Sequence, residues 1–166
     1  MTKPRATKAD TDLPVVPIGQ GDVSFTAEPS VLTTILGSCV AVCLWDVEKG
    51  IGGMNHFVLP YDRSETHSAR FGTVAMRELI QGLLQTGARL QRLHAKIFGG
   101  ANVLSYDARG TTIGAENVHV ALACLKEHHI PVVARRTGGN HGLSIRFVTS
   151  TGEVLARPIA AKPMHR

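Results

Sequence analysis

A cysteine and a histidine stand in two successive segments that are predicted to pair as β-strands. Residues 37–46 form an apolar run that is entered through glycine and contains Cys39, and residues 51–59, after a predicted turn, contain His56. If the two strands pair about residues 47 and 48, Cys39 lies opposite His56 or its immediate neighbour, with Cβ atoms about 5 Å apart on one face. At that separation an imidazole can take the proton of a thiol, so the spacing predicts a cysteine nucleophile with a histidine base.

Neighbouring residues could complete such a site. Gly37 and Ser38 let the backbone bend before the cysteine, so that loop amides could stabilise an oxyanion, and Asn55 is a further candidate for substrate binding. Thr33 or Thr34, one strand earlier, could orient the imidazole. The alternative stays open that the cysteine is a small buried hydrophobic residue and the histidine a satisfied core residue.

The three cysteines predict neither a disulfide framework nor a metal centre. Their number is odd, and along one strand Cys39 and Cys43 would lie about 13 Å apart, too far for a disulfide. Cys43 is expected to pack in the core beside Trp45, and Cys124 to be structural on a helix. Zinc ligands are usually spaced more tightly and a fourth ligand is not evident, so we predict no metal and no cofactor. A redox or metal role for the cysteines is the least attractive alternative.

Apolar periodicity predicts an α/β domain. Helical spacing predicts helices over residues 73–85, ended by Gly87, and over residues 114–129. Besides the two site strands, further strands are predicted over residues 22–25, 31–36, 93–98, 130–134, 143–148 and 153–157. These elements favour a layered sandwich with a mixed β-sheet and two main helices. Composition predicts a disordered tail over residues 1–14, one domain over 15–158 and a C-terminal tail over 159–166.

Composition and charge restrict the function classes. The chain has 166 residues, of which 43% are hydrophobic and 19% charged, with a net charge of +5. No run approaches the roughly 18 apolar residues of a membrane span, and the first residues lack the apolar run of a signal peptide, so we expect a cytoplasmic protein without membrane insertion. Basic residues are not clustered in a nucleic-acid-binding pattern, so the positive charge favours an acidic protein partner.

Five runs of the sequence occur in an order that is typical of one family. They are TTILGSCVAV at 33–42, GGMNHFVLP at 52–60, AKIFGGA at 95–101, IGAEN at 113–117 and TGGN at 137–140. With these runs the chain resembles the CheD chemoreceptor glutamine deamidases. The resemblance implies a sandwich fold related to the cytotoxic necrotizing factor deamidases. It also implies a Cys–His–Thr catalytic set that falls on Cys39, His56 and, six residues before the cysteine, Thr33.

The resemblance also implies a reaction and partners. The expected reaction is hydrolysis of glutamine side-chain amides on methyl-accepting chemotaxis receptors to glutamate and ammonia, with glutamyl methylesterase activity in some members. A CheC-type phosphatase is an expected partner, and a monomer is the expected state. The competing hypothesis is a non-catalytic binding module that regulates such a phosphatase.

Overall fold

A computed structural model describes residues 12–102 and 111–160 of the chain. The described residues form nine β-strands, two α-helices and a short 3₁₀ helix, Leu90–Arg92. The strands are β1 Val15–Pro17, β2 Val23–Thr26, β3 Val31–Leu36, β4 Val40–Asp46, β5 Gly52–Asn55, β6 Leu93–Gly99, β7 Val132–Thr137, β8 Gly142–Val148 and β9 Val154–Ile159. The helices are α1 Gly72–Thr86 and α2 Ile113–Glu127. The predicted tails lie largely outside the described residues.

The strands form two mixed sheets that pack face to face. One sheet has the order β2-β5-β4-β6-β7 and the other the order β1-β3-β8-β9. The β1–β3 and β6–β7 pairs are parallel and the other pairs antiparallel. Both helices cover the free face of the five-stranded sheet, so the chain has three layers. The predicted α/β layered sandwich with two main helices is confirmed, although its strands divide between two sheets rather than one.

Strand β4 lies at the centre of the packing. All seven of its residues are buried, because one face meets the helices and the other meets the four-stranded sheet. Val40, Val42 and Leu44 belong to the core under the helices, whereas Ala41, Cys43 and Trp45 belong to the core between the sheets. This explains why β4 reads as a continuous apolar run rather than an alternating one.

The predicted register of the β4–β5 hairpin is wrong by two residues. Cys43 pairs with Met54, and an isolated bridge joins Val40 to Phe57, so the same register places His56 opposite Ala41 rather than opposite the cysteine. The turn is longer than predicted because the Asp46 carboxylate accepts the amides of residues 48 and 49 at 2.9 Å each. A shift of two residues keeps every side chain on its face, so the cysteine and histidine still share one.

Both predicted helices form, with bounds within two residues of the predicted 73–85 and 114–129. Helix α1 ends at Gly87, whose φ of 112° is left-handed and whose amide bonds the carbonyls of Leu83 and Leu84. Helix α2 begins after Thr112, whose side chain accepts the amide of Ala115 at 3.1 Å. Among the described residues, no helix is both long and apolar enough to cross a lipid bilayer.

Candidate active site

Cys39 is the last residue of a loop, residues 37–39, that joins β3 to β4. The carbonyl groups of all three loop residues accept hydrogen bonds from distant parts of the chain. The bonds are Ala101 N to Gly37 O (2.9 Å), Asn117 Nδ2 to Ser38 O (3.1 Å) and Gly100 N to Cys39 O (2.8 Å). In the part of the chain that the structure describes, the amides of Ser38 and Cys39 donate to no acceptor. The loop is thus held in place through its carbonyl groups, and the N–H groups of Ser38 and Cys39 remain available to donate to a ligand.

Two glycines at the end of β6, Gly99 and Gly100, pack against the backbone of this loop. Gly99 has a φ of 103°, and a Cβ there would collide with the carbonyl oxygen of Cys39. The amide of Gly138, which directly follows β7, donates to the Gly99 carbonyl at 2.9 Å. Gly99 is therefore glycine because the backbone passes so close to the cysteine, whereas Gly138 and Gly139 have open space around them and need glycine for their left-handed φ of 77° and 73°.

His56 is held by a chain of two hydrogen bonds. Its Nδ1 lies 2.7 Å from the Thr34 hydroxyl oxygen, and that hydroxyl donates to the Ile18 carbonyl at 2.6 Å. A hydroxyl has one proton, and a carbonyl can only accept, so Nδ1 must carry the proton that bonds Thr34. The tautomer assigned by this network leaves a lone pair on Nε2, which has no partner among the described residues. An unpartnered, buried imidazole nitrogen of this kind is a proton acceptor.

The threonine that bonds the imidazole is Thr34, not Thr33. Strand alternation turns Leu32, Thr34 and Leu36 towards the core between the sheets, whereas Thr33 and Ile35 face outwards. Thr33 also lines the pocket that borders His56, but the hydroxyl within bonding distance of Nδ1 is that of Thr34, so the orienting residue is corrected from Thr33 to Thr34.

Cys39 and His56 share one face of the β4–β5 pair at diagonal positions. Diagonal neighbours in an antiparallel pair are roughly 7–8 Å apart at their backbones, within reach of longer side chains. Cys39 is 7% exposed and His56 3% exposed. An open pocket of about 480 Å³ borders His56, and Gln20 and Thr34 also line it. The histidine can thus be approached from solvent although most of its surface is covered.

Burial keeps both groups neutral at rest. Desolvation raises the pKa of the Cys39 thiol, and the opposing influence of its own backbone amide and of the Arg70 cation is smaller. Desolvation likewise lowers the pKa of His56, against the opposing influence of the Ile18 carbonyl and the Asp22 carboxylate. A neutral thiol and a neutral imidazole are the forms that general-base activation of a nucleophile requires.

Asn55 does not belong to the site. Its Oδ1 accepts the amide of Val42 at 3.0 Å and its Nδ2 lies 3.3 Å from the Met76 sulfur. Both contacts are on the helix side of the five-stranded sheet, because alternation along the strand turns Asn55 away from the face of His56. The candidate role of Asn55 in binding substrate is therefore corrected to a structural one: its side chain replaces a ladder acceptor at the end of β5.

The other cysteines are separate from this site. Cys43 is completely buried between the sheets, where desolvation raises the pKa of its thiol. Cys124 is half-buried on α2 and lies 3.7 Å from His128 Nδ1. Among residues 12–102 and 111–160, no cluster of three potential metal ligands occurs.

Asn117 is a site residue that sequence reasoning missed. Its buried side chain donates from Nδ2 to the carbonyls of Ser38, at 3.1 Å, and Val58, at 2.9 Å. Ser38 precedes the cysteine and Val58 lies two residues after the histidine, so one amide group ties both segments together. Two signals in the sequence could have pointed to it: Asn117 is a polar residue on the buried face of a predicted helix, and it ends the run IGAEN at 113–117.

The fold and this geometry define a class: a three-layer α/β domain in which a buried thiol at the start of a strand shares one sheet face with an imidazole that a threonine hydroxyl bonds. The family model described as CheD, chemotactic sensory transduction, matches residues 58–158. The chain belongs to the CheD family.

Curated relatives agree with this assignment. A Rhodospirillum rubrum protein is 49% identical over 133 residues, which cover 80% of this chain and 76% of that protein. An Anaeromyxobacter dehalogenans protein is 44% identical over 84% of this chain and 81% of its own length, and a Trichlorobacter lovleyi protein 46% identical over 81% and 84%. Each is named a probable chemoreceptor glutamine deamidase. Among solved structures, the hypothetical protein YfiH of Bacillus licheniformis matches 72% of this chain and 50% of its own with a TM-score of 0.47 at 17% identity.

Proposed function

We propose that this protein is a chemoreceptor glutamine deamidase in which Cys39 is the nucleophile and His56 the general base. The observation that carries the proposal is the bonded chain from Ile18 through Thr34 to His56, which leaves Nε2 free to accept a proton on the face that Cys39 shares. The names of the relatives supply the substrate class. The cytoplasmic part of a receptor is the expected site of action.

The first half-reaction forms a thioester. The Cys39 sulfur attacks the amide carbon of a substrate glutamine while its proton passes to His56 Nε2, and the carbonyl electron pair moves onto oxygen. When the tetrahedral intermediate collapses, the carbon–nitrogen bond breaks and His56 returns the proton to the nitrogen, which leaves as ammonia. Thr34 holds the ring orientation throughout and leaves Nε2 available to exchange the proton with the sulfur.

The second half-reaction restores the enzyme. Water attacks the thioester while His56 accepts one of its protons, and a second oxyanion forms. Cleavage of the carbon–sulfur bond then releases glutamate, and the sulfur recovers its proton from His56. A glutamyl methyl ester would form the same thioester with methanol as the leaving group, so methylesterase activity is part of the proposal. A CheC-type phosphatase partner stays a prediction from the sequence resemblance.

Mass spectrometry of a receptor cytoplasmic fragment tests the proposal. After incubation with the protein, each converted glutamine gains about one mass unit, because hydrolysis replaces NH₂ by OH. Cys39→Ala should abolish the shift without lowering the melting temperature substantially. Cys124→Ala is the matched control, since it removes the same group from a half-buried position on α2, and it should convert the fragment at the wild-type rate.

Two results would count against the proposal. Conversion by Cys39→Ala at the wild-type rate would exclude this cysteine as the nucleophile. No conversion by the wild-type protein, together with unchanged regulation of a phosphatase by the Cys39→Ala variant, would favour the binding-module alternative.

A further inference from the structure

The turn between β1 and β2, residues 19–22, is built onto the backbone of His56. The Gly21 amide donates to the His56 carbonyl at 2.7 Å, and the His56 amide donates to the Asp22 carbonyl at 3.1 Å. Within the turn, the Asp22 carboxylate accepts the Gly19 amide at 2.7 Å, and the Asp22 amide donates to the Gly19 carbonyl at 3.0 Å. Gly21 adopts a left-handed φ of 84° that closes the turn at little steric cost. The turn is therefore held in a fixed position relative to the histidine.

Gln20 stands at the exposed tip of this turn and reaches over the thiol. Its Nε2 lies 4.0 Å from Cys39 Sγ, and its side chain lines the same pocket as His56. Among the described residues, the sulfur is the one polar atom that the Gln20 amide contacts. A neutral thiol is a weak acceptor, so this contact does little for the resting protein. The placement points instead to a group that comes into use when a substrate enters.

We propose that the Gln20 side-chain amide, together with the backbone amide of Cys39, forms the oxyanion site of the reaction. An oxygen on the carbon that Sγ attacks would lie between sulfur and the pocket, and the 4.0 Å separation of Gln20 Nε2 from Sγ leaves room for that oxygen at about 3 Å from the nitrogen. The Cys39 amide belongs to the residue that bears the sulfur, and it donates to no acceptor among the described residues. Both donors are therefore close to the sulfur at which the tetrahedral carbon would form.

This role involves hydrogen bonding alone. As the carbon–sulfur bond forms, the carbonyl oxygen gains the electron pair and Gln20 and Cys39 donate N–H groups to it, while the thiol proton goes to His56. The inference rests on the proposed cysteine mechanism but not on the receptor as substrate. It also differs from the loop-only oxyanion site that the sequence predicts, because half of it comes from a turn 19 residues earlier in the chain.

Two reactions of Cys39 with small reagents separate the oxyanion site from other effects. Acylation by p-nitrophenyl acetate passes through a tetrahedral oxyanion and releases nitrophenolate, whereas alkylation by iodoacetamide displaces iodide with no oxyanion. Gln20→Ala should slow acylation about 100-fold, the usual effect of removing one oxyanion donor, and should slow alkylation by no more than a few-fold. Gln20→Glu, which has nearly the same shape but places a carboxylate at the oxyanion, should slow acylation at least as much.

The controls make the outcome decisive. Gln91→Ala removes the same side chain from an exposed position at the opposite end of β4 and should leave both rates unchanged. The melting temperature of each variant checks that the turn still folds. Equal slowing of both reactions in Gln20→Ala, or acylation at the wild-type rate, would overturn the inference, as would a wild-type Cys39 that the ester does not acylate.

The same set of measurements distinguishes this inference from the proposed function. If the wild-type protein leaves the receptor fragment unconverted but Gln20→Ala selectively loses acylation, the receptor assignment fails and the oxyanion site stands. If the fragment is converted equally by the wild-type protein and by Gln20→Ala, the function stands and the oxyanion site fails.

Discussion

Replacing Thr34 by valine tests the chain of bonds that orients the histidine. The change exchanges a hydroxyl for a methyl group of similar volume and keeps the branched β-carbon that suits a strand. It removes the acceptor that lies 2.7 Å from His56 Nδ1 and the donor that lies 2.6 Å from the Ile18 carbonyl. Both partners are at most 5% exposed, so only water from the adjoining pocket could replace the hydroxyl.

The expected size of the effect follows from the partners left behind. A buried polar group that loses its partner costs about 1–3 kcal/mol. We expect about 2 kcal/mol of this loss to fall on the productive ring orientation, because Nδ1 no longer has a hydroxyl that specifies its protonation. A barrier higher by about 2 kcal/mol corresponds to a kcat about 30-fold lower. KM should change less than kcat, because the threonine acts through the imidazole.

Steady-state ammonia release from a receptor fragment measures both constants. Thr33→Val is the matched control, since it makes the same exchange one residue away on the outward face of β3, and it should retain nearly full activity. Thr34→Ser keeps the hydroxyl and should recover most of the lost rate. A large loss in Thr33→Val with none in Thr34→Val would refute the tautomer argument and restore the threonine that the sequence resemblance selects.

Two further predictions concern pH and stability. Burial lowers the pKa of His56 from its ordinary 6.5 and raises that of Cys39 from 9.0. In a pH profile, kcat/KM should therefore fall to half its maximum only below pH 6.5 on the acid side and only above pH 9 on the alkaline side. An acid midpoint above pH 6.5 would contradict this prediction. Burial alone would raise the pKa of Asp46, but bonds from three backbone amides and the Arg92 side chain lower it from 3.8 to about 2, a difference worth about 2 kcal/mol. This contribution is present above about pH 4 and is lost as the pH falls through about 2. In urea titrations, Asp46→Asn should therefore lower the free energy of unfolding by about 2 kcal/mol at pH 7 and weaken its dependence on pH in acid. Equal stability of the variant and the wild-type protein at pH 7 would show that the network does not contribute to stability.

The sequence contains enough information to place the cysteine and the histidine on one face but not to pair them correctly. Side chains in a strand alternate between the two faces of the sheet, so a shift of the pairing by an even number of residues leaves each side chain on its face. The two-residue error in the hairpin register therefore still placed Cys39 and His56 on one face. The register itself depends on the turn, where the Asp46 carboxylate binds the amides of residues 48 and 49. An aspartate at the end of an apolar strand could have signalled that longer turn.

The choice between the two threonines shows where pattern reasoning fails. In strand β3, VLTTIL, apolar residues occur at both odd and even positions. Ile35 is 68% exposed although it is as hydrophobic as its buried neighbours. Hydrophobic pattern alone therefore cannot say which face of β3 meets the core. The answer comes from pairing with β8, whose Ile145 stands opposite Thr34 and is buried on the same side.

The parts of the site that no local pattern could predict are the ones that set its geometry. Asn117 bonds the carbonyl of Ser38 across 79 positions of sequence and that of Val58 across 59. Asn117 directs both of its N–H bonds to the segments that carry the cysteine and the histidine, so this one position on α2 fixes the relative placement of the two reactive groups.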